Sequence, residues 1–358
     1  VTKVAIIVGT RPEIIKMAPL VRACSERGVP YLLLHTGQHY SYDMDGVFFE
    51  ELGLPQPHTN LEVGSGTQAY QIGAIITGIT PIYEVEKPDW VLVEGDTNSV
   101  LAAGLAAHKL GLKVGHVEAG LRSYDRTMPE EVNRLLTDQL SDHLYAPTER
   151  SSGILRGEGL PPERIFVTGN TVVDELMLQR ARAEARDTLA RFGVEPKRYA
   201  LATVHRAENT NDESRLRSIV RGLEGAASAT GLEILCAVHP RTTQRMESIG
   251  LAWGNGVRAL PPLPYLDFLA LHAKAALTLS DSGGLQEEAC CLGVPCVTLR
   301  DNTERPESVD VGANVLVGAD ADAIVNGART MLGRAGGWKN PFGDGRAAHH
   351  ILDALLKG

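Results

Sequence analysis

The feature that most constrains this chain is a succession of short, uninterrupted apolar runs, each followed by a polar turn and an amphipathic stretch. In the first half Val4–Val8, Tyr31–Thr36, Trp90–Val93, Lys113–Val117, Leu144–Ala146 and Ile165–Val167 read as strands. Their apolar residues are continuous rather than alternating, which requires strands covered on both faces. Helix-like segments such as Ile14–Arg27 and Asn98–Lys109 lie between them. This is the βα rhythm of a parallel, doubly wound sheet. The second half repeats it, with strands expected at Tyr199–Thr203, Glu233–Val238, Val257–Leu260, Ala276–Ser280 and Cys296–Leu299 and helices at Glu213–Ala227, Tyr265–His272 and Gly283–Cys291. A chain of 358 residues, 43% of them hydrophobic, can fill two cores. The turn signal Gly169-Asn170 in "VTGNTVVDEL" divides them, giving an N-terminal α/β domain over 1–169 and a second over 170–345. "GRAGGWKNPFGDGRA" reads as a flexible loop, and the closing helix, within 346–358, can cap either domain.

Each doubly wound domain presents its strand C-termini and the loops after them to a ligand, so two in tandem imply a central cleft. The residues that matter are those just after strands. Nucleic acid is a poor partner for a formal net charge of -9. The opening "VTKVAIIVGTRPE" enters a strand at once and has no secretory-signal pattern, and no stretch reaches the apolar length of a membrane helix. Cys24, Cys236, Cys290, Cys291 and Cys296 form no CxxC pair and fit reduced core positions, hence a cytoplasmic protein. The chain lacks GxxxxGK[ST] and a GxGxxG after its first strand, which disfavours a P-loop NTPase and a nicotinamide enzyme. His349-His350 read as a solvated helix edge, and no metal pattern emerges.

The clearest phosphate signal is "AALTLSDSGGLQEEACCLG". A strand ends at Ser280, and Asp281-Ser282-Gly283-Gly284 leads straight into a helix. Glycines let backbone N–H groups approach an anion, and the helix N-terminus favours negative charge there. Glu288, about one and a half turns in, could accept from two ribose hydroxyls. An ordinary capped turn would use the same Asp, Ser and Gly. At the first strand "VAIIVGTRPEIIKMAPL" offers Arg11 and Lys16 as phosphate ligands, although Arg11 could equally pair with a surface acid.

Carboxylates mark the other end. Asp96 follows one strand in "DWVLVEGDTNSV", and Glu118 ends the next in "KVGHVEAGLRS". "TMPEEVNR" opens a helix at Pro129, with Glu131 and Arg134 on one face. Glu130 and Glu131 are also what any helix start favours. Asp96 and Glu118 sit where an α/β protein meets its ligand, and several such groups suit paired general acid and base chemistry. In the second half "YALATVHRAENTND" ends a strand at His205, Arg206, Glu208 and Asn209. His205 could donate to a phosphate or leaving-group oxygen, and "AVHPRT" places His239 and Arg241 similarly.

Taken together, "GTRPEIIKMAP", "GDT", "HVEAGLRS", "MPEEVNR", "APTE", "SDSGGLQEEA" and "TERPES" resemble the UDP-N-acetylglucosamine 2-epimerases, especially the non-hydrolysing type, over almost the whole length. The resemblance implies a GT-B-like fold of two Rossmann-like domains, with UDP held mainly by the second. It implies that Ser282, Gly283 and Gly284 hold phosphate, Glu288 the ribose and the Phe268 backbone the uracil. Arg11, His205 and Arg305 would lie near the diphosphate. Asp96, Glu118 and Glu131 would be the acid/base carboxylates, with Arg134 supporting them. The family is usually homodimeric and needs neither metal nor nicotinamide. The expected reaction is reversible inversion at C2 through loss and re-addition of UDP.

The resemblance lapses in two places. Bacterial members carry a further glutamine three residues after the one matching Gln38, which binds an allosteric substrate molecule; this chain has Ser41 there. The arginine expected near "VGSGTQAYQ" is also absent. The "TGQHY", "VGSG" and "VHPRT" variants are similar to branches acting on modified UDP-sugars, including uronic acids. The competing expectations are a hydrolysing 2-epimerase, a GT-B glycosyltransferase with an acceptor, and a UDP-sugar sensor without turnover.

Overall fold

The structure, a computed structural model, describes residues 2–37, 49–334 and 336–357. Gln38 and Ser41 lie outside the described residues. The chain divides into two compact units, one formed by Val1–Met177 with Phe342–Gly358 and the other by Leu178–Pro341. The change of unit falls within the helix Thr171–Glu184, so the turn at Gly169, expected as the boundary, is internal to the first unit. The closing helix Ala347–Lys357 belongs to the first unit, where it packs on the helix Arg11–Glu26.

The first unit is built on a seven-stranded parallel sheet, ordered β3-β2-β1-β4-β5-β6-β7. Its strands are β1 (Val4–Val8), β2 (Tyr31–His35), β3 (Thr59–Asn60), β4 (Trp90–Glu94), β5 (Lys113–Val117), β6 (His143–Ala146) and β7 (Ile165–Val167). β1 and β4 are buried along their whole length, as continuous apolar runs require. On one face Ala5, Ile7, Leu34, Val91 and Val93 pack with Ile79 and Tyr83 of the helix Gln68–Glu86 and Val100 and Ala103 of the helix Asn98–Lys109. β3, only two residues long, was not expected; it adds to β2 through Leu34 and His35.

The second unit carries a six-stranded parallel sheet, ordered β10-β9-β8-β11-β12-β13. Its strands are β8 (Tyr199–Thr203), β9 (Glu233–Ala237), β10 (Val257–Leu260), β11 (Leu277–Ser280), β12 (Cys296–Thr298) and β13 (Asn314–Leu316). One face packs on the helices Glu213–Thr230 and Ala321–Leu332 through Leu216, Ile219, Leu223, Ile324 and Ala328. Leu271 and Ala289, on the helices Tyr265–Lys274 and Gly283–Leu292, cover the other. Before Ala347 the described residues of the expected loop around Trp338 carry no helix or strand, but they are pinned: the Trp338 indole N–H donates to Cys290 O at 2.8 Å, and Phe342 is buried.

In both sheets the chain reverses its winding between two central strands, β1 and β4 in the first and β8 and β11 in the second. A crevice opens at such a reversal, outside the strand C-termini. Gly9-Thr10 and Gly95-Asp96 follow the first pair; His205 and Ser282 follow the second.

Candidate active site

At the reversal in the first sheet, Gly9 ends β1 because nothing larger fits: a Cβ there would strike the Ser99 and Thr36 hydroxyls. The helix Arg11–Glu26 starts at once, with Pro12 in its first turn. Arg11 is half-buried at that start. One turn on, buried Lys16 places its ammonium against two carboxylates, 2.9 Å from Glu94 Oε1 and in contact with Glu118 Oε2. Glu118 is buried and holds φ at +67°. A left-handed conformation is costly for a residue with a side chain, of the order of 1–3 kcal/mol, and such strain concentrates at functional sites. Burial, opposed by Lys16 and reinforced by Glu118, pushes the Glu94 carboxyl well above its ordinary range.

Asp96 lies two residues beyond Glu94, on the next turn. Its carboxylate, about a quarter exposed at 27%, contacts the Arg134 guanidinium. Arg134 was expected to support Glu131, but its nearest partner is Asp96; Glu131 Oε2 is 3.9 Å away. Glu131 turns back instead and accepts from Ser123 N and Oγ, at 2.8 and 2.9 Å, and from Tyr124 N at 3.2 Å. It therefore fixes the loop after β5 as well as lying beside Arg134. Asn133 donates to Asp96 O at 3.0 Å.

Behind these groups lies a buried chain that the sequence did not advertise. His116 Nε2 donates to Gly95 O at 2.8 Å, and Nδ1 is 2.6 Å from Asp138 Oδ1. Burial works to raise the Asp138 pKa, but His116 and Arg122 overcome it and hold the group below the usual carboxylate range. The His116 ring thus ties the turn that carries Asp96 to the neighbouring strand.

In the second unit Asp281 organises the reversal. Its buried carboxylate accepts from the His205 and Arg206 backbone N–H groups at 3.0 and 2.9 Å, and from Asn209 Nδ2 at 3.2 Å. Burial opposes its charge, yet His205 and these donors keep it below its ordinary pKa. His205 Nδ1 lies 3.1 Å from Asp281 Oδ1, and the side chain is 41% exposed. A carboxylate on Nδ1 selects the tautomer and presents Nε2 outward.

Ser282 caps the helix Gly283–Leu292 without using its side chain, so the first-turn N–H groups are not closed off by a side-chain cap. A Cβ on Gly283 would sit 2.6 Å from Arg305 Nη1: the guanidinium crosses the helix N-terminus at the glycine. Arg305 is buried and anchored by Glu287 at 3.0 Å and Glu304 at 3.5 Å. Glu304 in turn is gripped by Arg300; burial would raise its pKa, but Arg300 and Arg305 lower it to about 2. Helix N–H groups and a fixed guanidinium at one place are what a phosphate needs. Further along, Glu288 Oε2 is 3.5 Å from His272 Nδ1, and the His272 ring lies 5.8 Å from that of Phe268. Ser282, Gly283, Gly284 and Arg305 are thus brought together, with Phe268, His272 and Glu288 forming a neighbouring group.

Sequence reasoning missed Glu94, His116, Asp138 and the pair Arg300–Glu304, and it read Asp281 only as part of the phosphate turn, not as the anchor of His205 and Asn209. The available signal was charge inside apolar context: "WVLVE" and "VTLRD" each close a buried run with an ionic residue.

Comparison with known proteins follows the same lines. The family model described as UDP-N-acetylglucosamine 2-epimerase matches residues 22–356. The UDP-N-acetylglucosamine 2-epimerase of Methanocaldococcus jannaschii is 47% identical, over 99% of both chains. Its crystal structure in complex with UDP-GlcNAc and UDP superposes with a TM-score of 0.94 at 47% identity and covers 100% of each chain. The UDP-2,3-diacetamido-2,3-dideoxy-D-glucuronate 2-epimerase of Pseudomonas aeruginosa is 41% identical over 99% of both chains.

Proposed function

This chain belongs to the UDP-N-acetylglucosamine 2-epimerase family, and from that premise we propose that it interconverts UDP-N-acetylglucosamine and UDP-N-acetylmannosamine by reversible inversion at C2. The observation that carries the reading is the presence in one chain of two unlike ionic sites: buried carboxylates around Lys16 and Arg134 in one unit, and a guanidinium over a helix N-terminus in the other.

The chemistry explains both. The C2–H of the sugar is not beside a carbonyl and is not usefully acidic. As the C1–O bond to UDP breaks, its electron pair leaves with the diphosphate, and C1 becomes oxocarbenium-like. The C2–H then becomes acidic, its proton passes to a carboxylate, and the bonding pair closes the C1=C2 bond of a 2-acetamidoglucal. Protonation of C2 from the other face and return of UDP to C1 complete the inversion. The departing diphosphate needs N–H and cationic donors, for which Ser282, Gly283, Gly284, Arg305, Arg11 and His205 are our candidates. Glu288 would take the ribose and the Phe268 backbone the uracil. Proton transfer on two faces needs more than one carboxyl group, for which Asp96, Glu118 and Glu131 are the candidates. The mechanism uses no metal or nicotinamide.

A second substrate reading has a specific basis, since a 41% identical relative acts on a diacetamido uronic acid. The P. aeruginosa relative would then be the nearer model for the sugar pocket. We further place the working enzyme in the cytoplasm as a homodimer. Free thiols at all five cysteines support the compartment, and Tyr70 and Val85, exposed on the helix Gln68–Glu86, are surface that a partner copy could cover. Among the described residues no helix is long and apolar enough to cross a membrane.

Incubation with a panel of UDP-HexNAc and UDP-HexNAc uronic acids in deuterated water, followed by NMR, tests the reading. The expected product is the C2 epimer with deuterium at C2. A product lacking deuterium excludes proton exchange at C2; free ManNAc with UDP identifies a hydrolysing enzyme, and turnover only with an acceptor a transferase.

A further inference from the structure

We propose that Glu94 is a neutral carboxylic acid that positions Glu118 as a carboxylate base, acting as a hydrogen-bond donor and exchanging no proton with the sugar. The inference rests on the epimerase reading above. It begins from register. Glu94, the last residue of β4, pairs with Val117 of β5, so Glu118 is the first residue past the neighbouring strand. The two side chains meet at one ammonium: Lys16 Nζ is 2.9 Å from Glu94 Oε1 and touches Glu118 Oε2. The two carboxyl groups therefore share one cation.

That sharing decides the proton count. Two buried carboxylates against one ammonium leave one negative charge in excess unless one of them carries a proton, and a protonated carboxyl group can then donate to its neighbour. With one proton the cluster of Lys16, Glu94 and Glu118 is neutral; with none it carries an excess negative charge in a site closed to water, which is costly. Lys16 balances one negative charge, which we assign to Glu118. Glu94 is fully buried, and burial, outweighing Lys16 and reinforced by Glu118, pushes it well above the ordinary range. Environments of this kind keep a carboxylic acid neutral near pH 7 so that it can donate.

The charged surroundings are defined. Lys16 faces Glu94 from the helix Arg11–Glu26, and Glu118 faces it from the end of β5. On the turn that follows β4, Asp96 is neutralised by Arg134, and in β5 His116 is held between Gly95 O and Asp138. In the reaction the C2–H bond breaks, its pair forms the C1=C2 bond as UDP leaves, and the proton goes to Glu118. In the return direction Glu118 gives it back. Glu94 keeps its own proton throughout and holds Glu118 and Lys16 in register. As pH rises through the raised pKa, Glu94 ionises, its donor is lost, and a second negative charge faces Glu118.

Glu94→Gln replaces the neutral acid by a neutral amide that can donate to Glu118 and accept from Lys16. It is expected to keep kcat within about threefold of wild type at pH 7, while Glu94→Ala loses at least roughly tenfold in kcat with little change in KM. The high-pH limb of wild-type kcat should move up by about one unit or more in Glu94→Gln. A variant of glutamine as inactive as that of alanine, or an unmoved limb, overturns the proposal. A second measurement is independent of turnover and of the variants' folding. Carbon-13 NMR of glutamate δ-carboxyls in the wild-type protein should contain a buried group titrating well above the ordinary range, besides Glu13, which Glu13→Gln identifies. Its absence refutes the neutral acid. If wild-type protein epimerises no UDP-sugar but this resonance is present, the functional reading has failed and the assignment of the proton stands.

Discussion

Glu13 is a single residue on which the geometry of both turns at the first reversal depends. Its carboxylate accepts from the Gly9 and Thr10 N–H groups at 2.5 and 3.2 Å and from the Thr97 hydroxyl at 2.5 Å, so it clasps the turn after β1 to the turn after β4. Every one of these donors favours the charged form, yet burial prevails and raises its pKa from 4.5 to about 7. Between those values the folded chain binds a proton that the unfolded chain has released, so stability falls as pH rises. The contribution is complete below the unfolded pKa and gone above pH 7, a total of about 3 kcal/mol. The stability advantage of wild type over Glu13→Gln, from urea unfolding, should therefore shrink by about that amount between pH 4.5 and 8; a constant difference contradicts the assignment. Asp96→Asn preserves contact with Arg134 but removes a charged oxygen, and we expect kcat to fall by roughly a hundredfold or more while calorimetric UDP affinity holds. Equal loss of both would make Asp96 a structural residue. At this scale the sequence was legible where a residue's position implied its neighbours, as with Asp96 and Glu118 after strands. It was illegible where pairing crosses the sheet: nothing local joins Lys16 to Glu94, or redirects Arg134 from Glu131 to Asp96.

At the scale of elements, the strand-turn-helix unit β11–Ser282–helix Gly283–Leu292 was the most readable part of the chain, because its glycines, cap residue and apolar run all agree. Its partner was not. Arg305 comes from a loop after β12, and only the folded chain puts its guanidinium over Gly283. The short strands β3 and β13 were missed for a related reason: two or three residues, all but Asn314 exposed or partly so, carry no periodic signal and exist through pairing with β2 and β12. The close approach yields a test. Gly283→Ala drives a methyl group into the Arg305 guanidinium, which must leave the helix N-terminus or distort it. One lost charge-assisted hydrogen bond of roughly 1.5–3 kcal/mol corresponds to a tenfold to hundredfold weaker Kd for UDP. Isothermal calorimetry with UDP reads the change directly, and an unaltered Kd would remove Arg305 and the helix N-terminus from the phosphate site.

For the whole molecule, the decisive event is that the chain returns to its first unit after completing the second. The sequence contained both a helix after Ala347 and a turn at Gly169, but no local rule says which sheet a terminal helix joins. The contacts of the closing helix settle it. Asp174, in the first turn of the helix Thr171–Glu184, accepts from the Ala347 and Ala348 N–H groups at 3.0 and 2.9 Å, and so caps a helix that starts 173 residues later. Arg27, at the end of the helix Arg11–Glu26, pairs with Asp353 at 2.8 Å. Ile351, Leu352 and Leu355 are then buried, while the exposed Arg27 pair adds little. Asp174→Ala removes the cap and should cost about 1 kcal/mol. Because the helix has its own buried face and is short, that loss is expected locally: roughly fivefold faster amide exchange over 347–357, by hydrogen–deuterium exchange mass spectrometry. The sheet of the second unit, with a separate core, should exchange as in wild type. Equal acceleration in β8 to β13 would mean that the two cores open as one, and that the return of the chain fastens more than the first unit.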